Sequence, residues 1–107
     1  MQNNMNNLVR LIATLQAHEQ VLQAEGIAHL SVFGSAAREE DRPGSDVDIC
    51  VELREEDRPR GYAMIGHVEA LRERLRSIVG RPVDLVVSPV YKARLREHIE
   101  RDGVRAF

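Results

Sequence analysis

The sequence predicts an α/β (α+β) fold, a small mixed β-sheet of about three strands with helices mainly on one face, in the order α-β-α-β-α-β-α. Three observations carry this expectation. Apolar residues recur at helical spacing in separate stretches, short runs of aliphatic and β-branched residues lie between them, and glycine or proline marks nearly every change of period.

Residues 1–7 are rich in asparagine and read as a flexible tail. Leu8, Leu11, Ile12, Leu15 and Leu22 then form one amphipathic stripe, a helix that should end near Gly26. Ile27 to Phe33 reads as a strand running straight into Gly34-Ser35. Ser35 is placed to cap a brief helix through Glu40, which the turn Asp41-Arg42-Pro43-Gly44 closes. From Asp46 to Leu53 the chain alternates: Val47, Ile49, Val51 and Leu53 face one way, and Asp46, Asp48, Cys50 and Glu52 the other.

After a charged loop, Met64, Val68, Leu71, Leu75 and Ile78 step by four and three along a second long helix that stops at Gly80. Pro82 to Val87 is a third strand, with Val83, Leu85 and Val87 on one face and Asp84 on the other. Pro89 suits the first position of a last helix, in which Tyr91, Leu95 and Ile99 share a face before Gly103 ends it. No internal repeat is evident.

Composition narrows the function. At 107 residues the chain fits one compact domain, and 43% hydrophobic with 30% charged residues marks it as globular. A net charge of −2 and 4% aromatic residues with no Trp argue against direct nucleic-acid binding. Cys50 is the single cysteine, which rules out an intrachain disulfide, and nothing in its surroundings marks it as a nucleophile. Neither a membrane-length apolar stretch nor a leader-like segment is present, so no membrane partner and a cytoplasmic location are expected.

The chemistry concentrates on the polar strand faces. Carboxylates at i and i+2 on a strand project from the same face, with backbones roughly 6.5–7 Å apart. Asp46 and Asp48 can therefore converge on one divalent ion, or share two that stand about 3.5–4 Å apart. Asp84, on the matching face of another strand, can supply a third ligand. Oxygen donors of this kind suit magnesium, and three carboxylates together repel one another until a cation is bound. Gly34-Ser35, between a strand and a helix start, lets backbone N–H groups approach phosphate oxygens, and the Ser35 hydroxyl can donate one more hydrogen bond.

The stretch Phe33-Gly34-Ser35-Ala36-Ala37-Arg38, followed by Gly44-Ser45-Asp46-Val47-Asp48-Ile49, resembles the signature of the polymerase-β-like nucleotidyltransferases. That signature is Gly-Ser, ten residues, then Asp-x-Asp, and positions 36 to 45 satisfy the count. Val83-Asp84-Leu85-Val86 extends the match. The likeness covers nearly the whole chain and is closest to the minimal stand-alone members called MNT domains. It implies that Gly34 and Ser35, with Arg38 and Ser45, hold a nucleoside triphosphate. It also implies that Asp46, Asp48 and Asp84 bind magnesium, two ions in all, with Asp84 helping to deprotonate an acceptor hydroxyl. Many minimal members are antitoxins paired with a HEPN-type ribonuclease toxin, and some transfer AMP from ATP onto a tyrosine of that toxin. By this resemblance the partner is a cognate HEPN toxin. A non-catalytic antitoxin that acts by binding, or a transferase subunit for a small molecule or RNA, is the alternative. Two positions depart from the family's habit: Ala36, where a larger and often basic residue is common, and Glu39, where glycine is frequent.

The remaining polar residues read as structural or solvated. His18, His29, His67 and His98 lack metal-ligand spacing. Arg72, Arg74, Arg76, Arg94, Arg96, Arg101 and Arg105 mostly balance nearby glutamates.

Overall fold

The structure, a computed structural model, describes residues 7–107. The tail expected over residues 1–7 lies outside the described residues, apart from Asn7, which opens the first helix. The elements are α1 (Asn7–Ala17), α2 (Glu19–Ala24), β1 (Ile27–Phe33), α3 (Gly34–Ala37), β2 (Val47–Leu53), a 3-10 turn (Glu55–Asp57), α4 (Tyr62–Val79), β3 (Val83–Val87), α5 (Ala93–Asp102) and β4 (Val104–Arg105).

The four strands lie in the order β3-β2-β1-β4. β1 runs antiparallel to β2 and to β4, whereas β2 and β3 are parallel. Parallel neighbours need a crossover, and α4 supplies it. The sheet is therefore mixed, as expected, with one strand more than expected. That strand, Val104–Arg105, is two residues long, too short to show an alternation. It is held because Leu30 donates to the Phe107 carbonyl at 3.0 Å and accepts from Ala106 at 2.8 Å.

The apolar strand faces form the core. Ile27, Leu30, Val32, Val47, Ile49, Val51, Leu53 and Val83 pack in one cluster with Leu15 of α1, Leu22 of α2 and Leu71 and Leu75 of α4. Leu15, Leu22 and Leu75 are each 0% exposed. Complete burial of a leucine contributes about 1.5–3 kcal/mol, so these helices are fixed to the sheet by a few side chains each. Gly80 ends α4 in the left-handed conformation with φ +74°, and its N–H returns to the Arg76 carbonyl.

Three expectations are corrected. The first helix is two, broken at His18, whose N–H returns to the Leu15 carbonyl at 3.1 Å and whose Nδ1 donates to the Thr14 carbonyl at 2.9 Å. The His18 ring thereby satisfies a carbonyl in the last turn of α1. The last helix begins at Ala93, not at Pro89. Ser88 still donates to Val51 of β2 and accepts from Arg58, so the chain follows the sheet past residue 87. Tyr91 accordingly precedes α5 and is 86% exposed. Finally, β2 starts at Val47, which leaves Asp46 just ahead of the ladder. Among the described residues no helix is long and apolar enough to cross a membrane.

Candidate active site

The strand register assembles the centre of the site. In the parallel pair Asp48 stands opposite Asp84, and in the antiparallel pair Phe33 stands opposite Asp48. The residue after Phe33 must therefore turn directly over the Asp48 carboxylate. That residue is Gly34, with φ +71°, and a Cβ built on it would lie 2.2 Å from Asp48 Oδ2. Only glycine accepts both the left-handed backbone and the approach.

A short helix, α3, follows. Its first turn carries no side-chain cap bond, so Ser35 does not cap it, and its hydroxyl is left to the cavity wall. The helix ends in a Schellman arrangement: Glu40 N donates to Ser35 O at 2.8 Å and Glu39 N to Ala36 O at 3.2 Å. Glu39 takes the left-handed position at φ +62°. That backbone explains why glycine would be at home there.

The cavity at this turn has a volume of about 530 Å³ and is lined by Phe33, Gly34, Ser35, Arg38, Asp48, Asp84, Val86, Leu95 and His98. The sequence reading singled out five of these nine. Leu95 and His98 were missed in this role. They are i and i+3 on α5, a spacing that puts them on one helix face, but the sequence gives no sign that this face turns toward Asp48.

Burial holds the Asp48 carboxyl above the usual carboxylate range, and the negative charges of Asp84 and Asp46 add to the shift, opposed by Arg38. Crowded oxygen donors of this kind fit a hard divalent cation, whose charge would offset both the burial and the repulsion. The pair Asp48–Asp84 is brought together. Asp46 is exposed at the rim and does not line the cavity. Among the described residues no three His, Cys, Asp or Glu side chains stand as a ready-made metal cage.

Two other candidates are engaged elsewhere. Arg38 lines the cavity, but its Nε donates to Glu40 and its Nη1 to Asp102, each at 3.0 Å. The Ser45 hydroxyl donates to the Arg42 carbonyl at 2.7 Å and accepts from Arg81 at 3.0 Å, so it fastens its own loop. Cys50, on the same face as Asp48, has its thiol pushed up by burial and by Glu52, against any thiolate role.

Comparison with known proteins places the fold and the family. The profile of the nucleotidyltransferase domain family matches residues 15–106. The protein adenylyltransferase MntA of Thermococcus cleftensis is 33% identical over 101 residues, which span 94% of this chain and 96% of that protein. A solved structure described as a minimal nucleotidyltransferase superposes with a TM-score of 0.70 at 30% identity, over 96% of this chain and 98% of the other. A chain from the complex of tri-AMPylated Shewanella oneidensis HEPN toxin with MNT antitoxin shares the fold, with a TM-score of 0.62 at 17% identity over 91% of this chain and 71% of that one.

Proposed function

The chain belongs to the nucleotidyltransferase domain family, and from that premise we propose that it is a magnesium-dependent protein adenylyltransferase, an antitoxin that moves AMP from ATP onto a tyrosine hydroxyl of a cognate HEPN-type toxin. One observation carries the reading: Asp48 and Asp84 meet across β2 and β3 directly beneath the Gly34-Ser35 turn.

Bound magnesium, held by Asp46, Asp48 and Asp84, would neutralise charge on the triphosphate and the departing pyrophosphate. The chain's own groups do the rest. The backbone at Gly34 comes close to phosphate oxygens and the Ser35 hydroxyl donates to one of them. The acceptor oxygen attacks the α-phosphorus, the bond to the bridging oxygen breaks with its electrons going to pyrophosphate, and the hydroxyl proton passes to Asp84. Arg38 reaches a phosphate by exchanging Glu40 or Asp102 for it. A protein acceptor is supported by the named activity of the Thermococcus relative, and a toxin in that role by the complex of tri-AMPylated HEPN toxin with MNT antitoxin, which shares the fold.

A second reading, neutralisation by binding alone, draws on the position of Asp46 outside the Asp48–Asp84 pair. Intact mass of the co-expressed partner, after incubation with this protein, ATP and magnesium, separates the two. The expected result is a gain of one or more AMP units that disappears with Asp46→Asn and Asp48→Asn together. A partner that is neutralised, stays bound and gains no mass, or a double variant that still neutralises fully, would establish the binding reading instead.

A further inference from the structure

The segment that delivers Asp46 to the site is closed on itself at Arg42 and Ser45. Ser45 N and Oγ donate to the Arg42 carbonyl at 3.0 and 2.7 Å, and Arg42 N donates to Ser45 Oγ at 3.2 Å. Residues 42–44 are exposed, Gly44 stands at φ +82°, and Asp46 precedes the first ladder residue of β2. The bonds between Arg42 and Ser45 shape the turn but do not tie it to the sheet, so the direction of the Ser45–Asp46 peptide is set only where something outside the loop fixes it. Arg81, in the turn between α4 and β3, does so. Its Nε and Nη2 both donate to the Ser45 carbonyl, at 3.0 and 2.8 Å, and Nη2 also reaches the Ser45 hydroxyl at 3.0 Å. Its Nη1 pairs with Asp41 Oδ2 at 2.9 Å. The Asp41 side chain is 9% exposed and that of Arg81 23%, so this pair is shielded from solvent in a way that most ion pairs of the molecule are not.

The gripped carbonyl belongs to the peptide whose nitrogen is that of Asp46. Two donors on one carbonyl fix that plane, and with it the direction from which the Asp46 side chain departs. One residue later, Val47 N donates to the Pro82 carbonyl at 2.9 Å and the β2–β3 ladder begins. The adjacent residues Arg81 and Pro82 thus set both the approach of Asp46 and the register that puts Asp48 beside Asp84. We propose that Arg81, anchored by Asp41, is a positioning residue of the carboxylate site: it holds the 41–45 loop so that Asp46 is presented to the cation shared with Asp48 and Asp84. This rests on reading those carboxylates as a divalent-cation site. A lysine at 81 offers a point charge without the planar fork, and it does not serve Asp41 and the Ser45 carbonyl together.

The test compares Arg81→Lys and Asp41→Asn in the full chain with Arg72→Ala, which removes an exposed ion pair of α4. Backbone hydrogen exchange at Ser45 and Val47, whose N–H groups donate to Arg42 and Pro82, is read in the metal-free protein, and Mn2+ affinity by electron paramagnetic resonance. Both clamp variants should exchange faster at these two amides and bind Mn2+ about tenfold or more weakly, the usual scale for groups that orient metal ligands. Their melting temperatures should fall below that of Arg72→Ala, because a shielded pair is broken, while both variants stay folded at the temperature of the assays. In the transfer reaction kcat should fall while KM for ATP holds. Wild-type exchange and Mn2+ affinity in both variants overturn the inference, as does protection lost evenly along the whole chain, or a wild-type protein that binds no Mn2+. A wild-type protein that binds Mn2+ yet transfers no AMP overturns the adenylyltransferase reading, while the clamp is still decided by the first two measurements.

Discussion

Gly34 lies against Asp48 so closely that a Cβ at position 34 would stand 2.2 Å from Asp48 Oδ2. The Gly34-Ser35 turn and the Asp48 carboxylate therefore cannot move independently. Gly34→Ala should displace the carboxylate and strain a left-handed backbone, at a cost of about 1–3 kcal/mol. Misplacing a catalytic group by about 1 Å costs on the order of a hundredfold in rate. AMP incorporation measured beside a melting curve checks this: a folded Gly34→Ala protein with wild-type transfer would show that the turn does not act at Asp48.

The raised Asp48 pKa predicts a pH dependence with a definite sign. A carboxyl that binds its proton more tightly folded than unfolded favours the fold below its ordinary value of 3.8 and loses that contribution as pH rises through the folded value. At neutral pH without divalent cations, ionised Asp48 should thus be a burden. Asp48→Asn in EDTA should melt higher than wild type, by a few degrees at most because solvent screens a group this accessible. The difference should vanish when both are melted below pH 3.8. Magnesium should raise the wild-type midpoint and leave that of Asp48→Asn nearly unmoved. A wild-type midpoint equal to or above that of the variant at neutral pH in EDTA would remove the argument from crowding.

Arg38 is predicted to act on nucleotide affinity and hardly at all on stability. Its two partners are Glu40 and Asp102, and its own side chain is 41% exposed. Arg38→Ala should raise KM for ATP roughly tenfold, the scale of one charge-assisted hydrogen bond, with little change in melting temperature. Asp102→Asn removes a competitor for the same guanidinium and should lower KM. Steady-state kinetics at several ATP concentrations separate these directions, and a KM unchanged in both variants would confine Arg38 to the surface.

How much of this was legible in the sequence depends on the range of the interaction. The period of two from Val47 to Leu53 is local, so which strand face carries Asp48 could be read directly, and the burial of Val47, Ile49 and Val51 agrees. The spacing from Gly34-Ser35 to Asp46 and Asp48 is also linear. Nothing local distinguishes Arg81 from the arginines that face solvent, because its partners lie 36 and 40 positions back, at Ser45 and Asp41. Likewise the approach of Leu95 and His98 to the cavity depends on where α5 docks. The break at His18 and the late start of α5 are decided by hydrogen bonds to carbonyls, which a hydrophobic period does not register.

The short edge strand should be worth more to stability than its length suggests. Ala106 is 5% exposed, Gln16 Nε2 donates to its carbonyl at 3.0 Å, and Leu30 bonds to both Ala106 and Phe107. Removing residues 104–107 uncovers the β1 edge and should cost about 2–4 kcal/mol, from several backbone hydrogen bonds and the apolar contacts of two side chains. Urea denaturation measures this, and a loss below the precision of that experiment would mean that β1 does not depend on its outer neighbour.

Glu39 offers the opposite case, a position where substitution should stabilise. It occupies the left-handed residue of the Schellman arrangement that ends α3, at φ +62°, and its side chain is exposed. A side chain there strains the backbone, whereas glycine adopts it freely, at the expense of a more flexible unfolded chain. The balance should favour Glu39→Gly by about 0.5–1 kcal/mol. In urea the midpoint should rise with the slope unchanged, since no buried surface is altered. Transfer should proceed at the wild-type rate, because Glu39 does not line the cavity. A midpoint that falls would mean that the Glu39 side chain contributes more than the strain of its backbone removes.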